Sequence, residues 1–329
     1  MSFDTSTYNE ALADAASILA CRLPSEERPF FYLHLGAEYD LAGFFDAPPA
    51  EIPLHELSPS LPRARTLDGE EARLLAGRIE GVPVLASAGA RRVADGHGAL
   101  AALFPTALAS IMGVKNHIFL DTAISLVSEF KAGRWGMLAD FVSDFAFSPL
   151  EGLHGMLDKP FPDLAHTIDQ SQNSEILNAM ADFGEPPRLC IYHGIPGFHL
   201  PTSAEAARSR AIGADFLGHD LVLHVILSHA LGCHVSALVL AGVQLLPGFP
   251  RSFTRDEMRE TGVFCSGQLR QGLRRAILEV RRASEGYAEN ILPESDADEV
   301  LCRNIKLNAT RSSPLKAFLR REPPTQEPT

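Results

Sequence analysis

The chemistry this sequence offers lies in its loops rather than in its periodic segments. His219 and Asp220 are neighbours in Gly-Ala-Asp-Phe-Leu-Gly-His-Asp, and His199 closes Gly-Ile-Pro-Gly-Phe-His. A carboxylate oriented by an imidazole is suited to activating water or to moving a proton on a small molecule. The same residues also read as a satisfied polar network in a pocket that does not react. Arg91 and Arg92, in Gly-Ala-Arg-Arg-Val-Ala-Asp-Gly-His, are either a solvated pair or a means of holding an anion.

Other chemistries fit less well. His219, His224 and His229 recur every five residues, which sets successive rings about 140° apart around a helix. Zinc pairs on a helix need one face, so this spacing argues against a helix-borne metal, and no cofactor is expected. The five cysteines fall at no metal-ligand spacing and suit a reduced, cytoplasmic protein. A net charge of -12 argues against nucleic acid or an anionic membrane as partner. No stretch reads as a signal peptide or a membrane span.

These loops need elements to hold them. Leu189–Tyr192 and Val235–Leu240 are short apolar runs, and Thr202-Ser203-Ala204-Glu205 is a capping box opening an alanine-rich helix. Strand and helix alternating in this way predict parallel strands with crossover helices. Ligands then sit at the strands' carboxyl ends, in Gly194–Thr202, Gly218–Asp220 and Gly242–Gln244, so Phe198, Gly242 and Gln244 join the candidates.

Upstream, Tyr8–Leu23 reads as an amphipathic helix and Arg28–Leu35 as a buried strand leading to Gly36 and Glu38. Ala47–Arg65 is proline-rich and reads as irregular. Ala72–Glu80 and Val82–Ser87 read as strands joined at Glu80-Gly81. Leu100 to Ile111 carries the spacing of a core helix, and His117–Leu120 is a strand running into Asp121-Thr122-Ala123-Ile124-Ser125. Met137–Val142 is another strand, and Asp144–Asp163 is long enough without periodicity to suggest a functional loop or an interface. Asn173–Phe183 reads as a surface helix, and a last helical region from Thr254 to about Glu285 is expected to break at Gly262 and Gly267.

The order Gly-Ile-Pro-Gly-Phe, Thr-Ser-Ala-Glu-Ala, Gly-Ala-Asp-Phe-Leu-Gly-His-Asp and Leu-Gly-Cys-His-Val-Ser-Ala-Leu-Val-Leu-Ala-Gly resembles the trimeric purine nucleoside phosphorylases. The resemblance runs from about Arg28 to Gly242 and implies their fold, a three-layer α/β/α sandwich on a twisted mixed sheet. It also implies a homotrimer, with Asp144–Asp163 near the subunit boundary. The chemical positions differ. Gly36 stands at the serine of the family's phosphate loop, whose glycine positions hold Ala37, Tyr39 and Asp40. Glu70 stands at a phosphate-binding histidine, and Asp220 at a phosphate-binding serine. His219 replaces a methionine beneath the ribose, and His199 replaces the purine-reading glutamate beside a retained Phe198. Gly242 replaces the asparagine that polarises the purine, and Glu260 falls near the histidine for the ribose 5′-hydroxyl. Ala123 keeps a small residue, whereas Ile124 brings a branched side chain to a glycine position beside Thr122. Arg91 or Arg92 remains to reach the anion site.

The expectation is therefore an N-terminal helix over 1–24, one phosphorylase-like domain over 25–290, and a Pro/Glu-rich extension over 291–329. The pocket would take a nucleoside-like or other small polar ligand without phosphorolysis. Asp220 with His219 or His199 as acid or base would serve N-glycosidic hydrolysis. A non-catalytic binding or assembly protein, and a phosphorylase with a rearranged site, are the alternatives.

Overall fold

The structure is a computed structural model describing residues 5–23, 28–36, 39, 43–58, 71–89, 92–96, 98–151, 153, 157, 161–197, 199–246 and 251–288. Glu38, Glu70, Arg91 and Phe198, among the candidate residues, lie outside this set, as does the expected extension over 291–329.

In chain order the elements are α1 (Thr5–Arg22), β1 (Phe31–Leu35), β2 (Ala50–Pro53), α2 (Leu54–Leu57), β3 (Arg73–Ile79), β4 (Val82–Ala88), a short 3-10 turn (Val93–Asp95) and α3 (Ala99–Ile111). Next come β5 (Asn116–Ser125), β6 (Trp135–Ser143), α4 (Gln170–Ala181), β7 (Arg188–Gly194), α5 (Ser203–Ala211), β8 (Phe216–Gly218), α6 (Leu221–Ala230), β9 (His234–Gln244) and α7 (Arg255–Ala288). The strands form one mixed sheet in the order β2-β3-β4-β1-β5-β8-β7-β6-β9, and β9 also pairs with β5. That last pairing closes β5, β8, β7, β6 and β9 into a ring, so the sheet is open at the β2 end and barrel-like at the other. Closure removes the edge that an open sheet would leave at β9.

Alternation along the strands fills two layers. Tyr32, Phe119, Val235, Ala237 and Val239 face α1, α3 and α6, while Phe31, Leu33, Leu35, Ile118, Leu120 and Leu238 face α4 and α7. A smaller apolar cluster gathers Ile124, Leu126, Ile195, Ala206, Leu217 and Val243. The β3–β4 hairpin turns at Glu80-Gly81, both at positive φ (50° and 73°).

Several expectations need correction. The stretch from Ala47 to Arg65 is not wholly irregular, because Glu51 to Pro53 pair with Arg73 to Leu75 and a helical turn comes next. Gly242–Gln244 is not a loop; it is the end of β9. The last helix runs unbroken for 34 residues. Gly272 packs against Met180 of α4, and the α4–α7 interface outweighs the roughly 1 kcal/mol that a helical glycine costs. For the same reason α4 is more than a surface helix, with Ile176 and Met180 fully buried.

Candidate functional site

Parallel β1, β4, β5 and β9 end on one side of the sheet. The candidate site comprises residues at and just past those strand ends: Gly36 after β1, Arg92 and Val93 after β4, and the Ile124 end of β5. The β8–α6 junction adds His219 and Asp220. The second strand–helix unit is locally well specified. Thr202 and Glu205 form the expected reciprocal cap, with Thr202 N donating to Glu205 Oε2 at 2.7 Å and Glu205 N to Thr202 Oγ1 at 3.2 Å.

Asp220 opens α6 but makes no side-chain bond to that helix's own amides. Its Oδ2 instead accepts from the Val93 backbone N–H at 2.8 Å. A carboxylate therefore lies where a helix N-terminus and a backbone donor would otherwise receive an anion. Among the described residues, Arg92 acts here through its charge. Its charge, with burial as the larger cause, helps hold His34 and His219 below the usual imidazole range.

His219 donates Nδ1–H to the carbonyl of Ile195 at 3.1 Å, because a carbonyl can only accept. Its Nε2 therefore carries the lone pair, and the ring lies against Gly197, where a Cβ would stand 2.5 Å from Cε1. Burial lowers its pKa; the Asp220 charge acts the other way. His199 is exposed and turns Nδ1 to the adjacent Leu200 carbonyl at 3.0 Å. The five-residue histidine series diverges: His224 is buried against Thr106, and His229 directs Nε2 to the Asp163 carbonyl at 2.7 Å.

The other end of the cleft is packed. β9 carries one extra residue opposite the step from Ala123 to Ile124, and that residue is Gly242. A Cβ there would stand 2.6 Å from Thr122 Cγ2 and 3.1 Å from Met258 Cβ. Ile124 is 4% exposed inside the small apolar cluster, and Ala123 is buried in the main core. Gln244 spends its amide N–H groups on the carbonyls of Val127 (2.7 Å) and Phe130 (3.3 Å), which pins the turn after β5.

Residues that the sequence did not single out complete the arrangement. Tyr39 reaches Thr122 Oγ1 at 2.8 Å and the Asp121 carbonyl at 3.3 Å while stacking on Trp135. Tyr192 donates to Asp121 Oδ2 at 2.7 Å, and its acidity is suppressed by burial and by the nearby Asp121 and Asp220 charges. His34, held by Ser87 and close to the Tyr32 hydroxyl, is influenced by the Arg92 charge. A polar residue in the otherwise apolar Phe-Phe-Tyr-Leu-His-Leu run was the available signal for His34; Tyr39 offered none, since its partners are remote in sequence.

Comparison with known proteins places this geometry. The fold is that of the nucleoside phosphorylases: Schistosoma mansoni purine nucleoside phosphorylase solved with inosine superposes with a TM-score of 0.71 at 18% identity, covering 82% of this chain and 95% of that one. A schistosome purine nucleoside phosphorylase solved with hypoxanthine gives 0.70 over 82% and 96%. In sequence, purine nucleoside phosphorylase 1 of Bacillus subtilis is 26% identical over 222 residues, 67% of this chain and 80% of the relative. Its namesake from Geobacillus stearothermophilus is 24% identical over 252 residues, 76% and 90%. No family model matches the chain. In sequence and in fold alike, the chain is similar to purine nucleoside phosphorylases.

Proposed function

We propose that this chain binds a small, neutral, nucleoside-like ligand and does not use phosphate as co-substrate. The observation that carries this reading is the Asp220 carboxylate on the Val93 amide at the start of α6. An internal anion there repels a phosphate dianion and already takes a backbone donor that the dianion would use. Water needs no such site, so the reaction open to the pocket is N-glycosidic hydrolysis. In it, the unprotonated His219 Nε2 and the Asp220 carboxylate are the candidate bases, and His199, which is exposed, is the third candidate. Gly36, Arg92, Thr122 and Ala123 are assigned to the ligand by their place at the strand ends, and Glu38, Glu70, Arg91 and Phe198 by resemblance alone.

A second reading has its own support. Thr122 and Met258 occupy the space beside Gly242, and Ile124 is packed into an apolar cluster, so the group that would polarise a leaving purine has neither a residue nor room. This favours a protein that binds or assembles without turnover. Phe161, 92% exposed at the end of the Asp144–Asp163 segment, is consistent with a homotrimer closing over that segment. The described cysteines are all free, which suits a cytoplasmic setting, and no helix among the described residues is long and apolar enough to cross a membrane.

The test is incubation with inosine in phosphate-buffered and phosphate-free solution, with separation of ribose from ribose 1-phosphate. Ribose released at a phosphate-independent rate supports hydrolysis. Calorimetric binding of inosine without products supports the second reading. Ribose 1-phosphate formed at a rate that rises with phosphate defeats both.

A further inference from the structure

His193 lies at the end of β7 beside α5 and takes no part in the candidate site. It is fully buried. Its Nδ1 stands 2.9 Å from Ser209 Oγ of α5. Its Nε2 stands 3.3 Å from Oδ2 of Asp144, the first residue after β6. Arg208 of α5 holds that same Asp144 oxygen. Ser209 Oγ in turn donates to the Glu205 carbonyl at 2.8 Å. The flanking strands set apolar Val142 and Leu217 beside His193 in register, and the Glu205 carboxylate is turned to Thr202. Asp144 and Arg208 are therefore the charges that face this ring.

These contacts outnumber the protons that a neutral ring can bring. The imidazole touches Ser209 and Asp144, and Ser209 touches the Glu205 carbonyl, so three hydrogen bonds need three protons. The Asp144 carboxylate and the Glu205 carbonyl only accept; the Ser209 hydroxyl supplies one proton and a neutral imidazole one. Whichever ring nitrogen carries its proton, one contact goes without. In the structure it is the Asp144 contact, since Nε2 has no hydrogen-bond partner among the described residues. An imidazolium donates from both nitrogens and completes all three. Burial lowers the pKa of His193, so the second proton arrives below the ordinary imidazole value of about 6.5.

We infer that His193 is an acid-responsive latch, which on protonation at Nε2 bonds Asp144 and ties the end of β6 to β7 and α5. The tie falls at the root of the loop that seats His219. Asp144 N–H already donates to the Gly194 carbonyl at 2.9 Å, and Ile195, next in the chain, gives His219 its carbonyl acceptor. Arg208 competes with the ring for Asp144 Oδ2, so the latch is set by two cations sharing one carboxylate oxygen. It acts whether or not the site takes a nucleoside.

The experiment is nitrogen NMR of the full chain labelled at its histidines, followed from neutral into mildly acidic solution, with hydrogen exchange at the residue 144 amide. His193→Gln assigns the ring. The His193 signal should show Nε2 taking a proton in mild acid. Protection of the residue 144 amide, corrected for its intrinsic rate, should rise about tenfold as it does so, the effect of one added charge-assisted hydrogen bond. Asp144→Asn should lower the His193 pKa by about one pH unit and abolish the gain in protection. Arg208→Gln should raise that pKa, and opposite shifts from neighbouring substitutions are not what a packing defect gives. A His193 pKa unmoved in both variants overturns the inference, as does a residue 144 amide equally protected on either side of the titration. A ring already cationic at neutral pH, or one that stays neutral until the chain unfolds, overturns it as well.

Discussion

The two ends of the candidate site are built by different physical means. At the Asp220 end charges face a backbone donor: a carboxylate takes the Val93 amide, and the Arg92 charge acts on His34. At the Gly242 end the charges are absent and the space is gone: a bulge in β9 brings Thr122 and Met258 onto the glycine, and Ile124 joins an aliphatic cluster. Electrostatic change alters which ligand is tolerated and leaves the core intact, so one substitution can undo it. Steric change is shared among neighbours, and one substitution only adds strain.

The largest expected effect comes from acid and falls on the buried histidines, of which His34 and His224 belong to the first end. His34 is pushed down to about 4 and His117 to about 3 by burial, and His224 is pushed well down for the same reason. Their folded values lie below the unfolded value of about 6.5. Stability is therefore complete above about pH 6.5 and is lost as the pH falls towards the folded values, because only the unfolded chain takes up the protons. Each histidine contributes about 1.4 kcal/mol per pH unit in that window. Urea denaturation should show a loss of several kcal/mol between about pH 7 and about pH 5. A flat profile would mean that the polar end is cationic, and the contrast between the ends would fail.

Gly242→Asn tests the second end. The new side chain meets Thr122 and Met258 at sub-contact distances, and overpacking of this kind costs about 1–3 kcal/mol. The midpoint of urea unfolding should fall accordingly, with no gain in affinity for hypoxanthine. A stable variant that binds the base would show that the family's polar contact is recoverable by a single change.

Asp220→Ser is the matching change at the polar end. It removes the negative charge and frees the Val93 amide, so phosphate affinity by calorimetry should rise about tenfold, or about 1.4 kcal/mol, with little change in Tm. Tight phosphate binding by the native chain would end the argument that Asp220 excludes it.

Much of the fold was legible because it derives from local pattern. The buried face of α1, the β3–β4 hairpin and the Thr202–Glu205 cap each depend on residues a few positions apart. The unbroken course of α7 was not legible, since the helix is held by the burial of Leu269, Leu273 and Ile277 in the core beside α4, not by anything local to Gly262 or Gly267. The ring closed by β5 and β9 is likewise a pairing of segments more than a hundred residues apart. The site divides in the same way. His219, Asp220 and the Arg91-Arg92 pair stood out by type and by position in loops, whereas the bonds of Gln244 to the carbonyls of Val127 and Phe130 join segments remote in sequence. His34, Ser87, Thr106 and His224 become a unit only when four elements meet.

Tyr39 offers the smallest expected effect and the sharpest check that the two ends are independent. It comes after β1 on the Asp220 side, yet its hydroxyl bonds Thr122 Oγ1 at 2.8 Å and reaches the Asp121 carbonyl at 3.3 Å. Thr122 is the residue that crowds Gly242. The ring is 5% exposed and stacks on Trp135 with centroids 6.1 Å apart, so Tyr39→Phe keeps the packing and removes only the polar link. Losing that hydrogen bond should cost about 1 kcal/mol in urea unfolding. The informative quantity is the coupling with Gly242→Ala. Its methyl presses on Thr122 from the other side, and Thr122 can yield more readily once released from Tyr39. The double variant should therefore be less destabilised than the sum of the singles, by about 0.5 kcal/mol or more. Strict additivity would show that Thr122 is fixed by the sheet alone and that the two ends change without reference to each other.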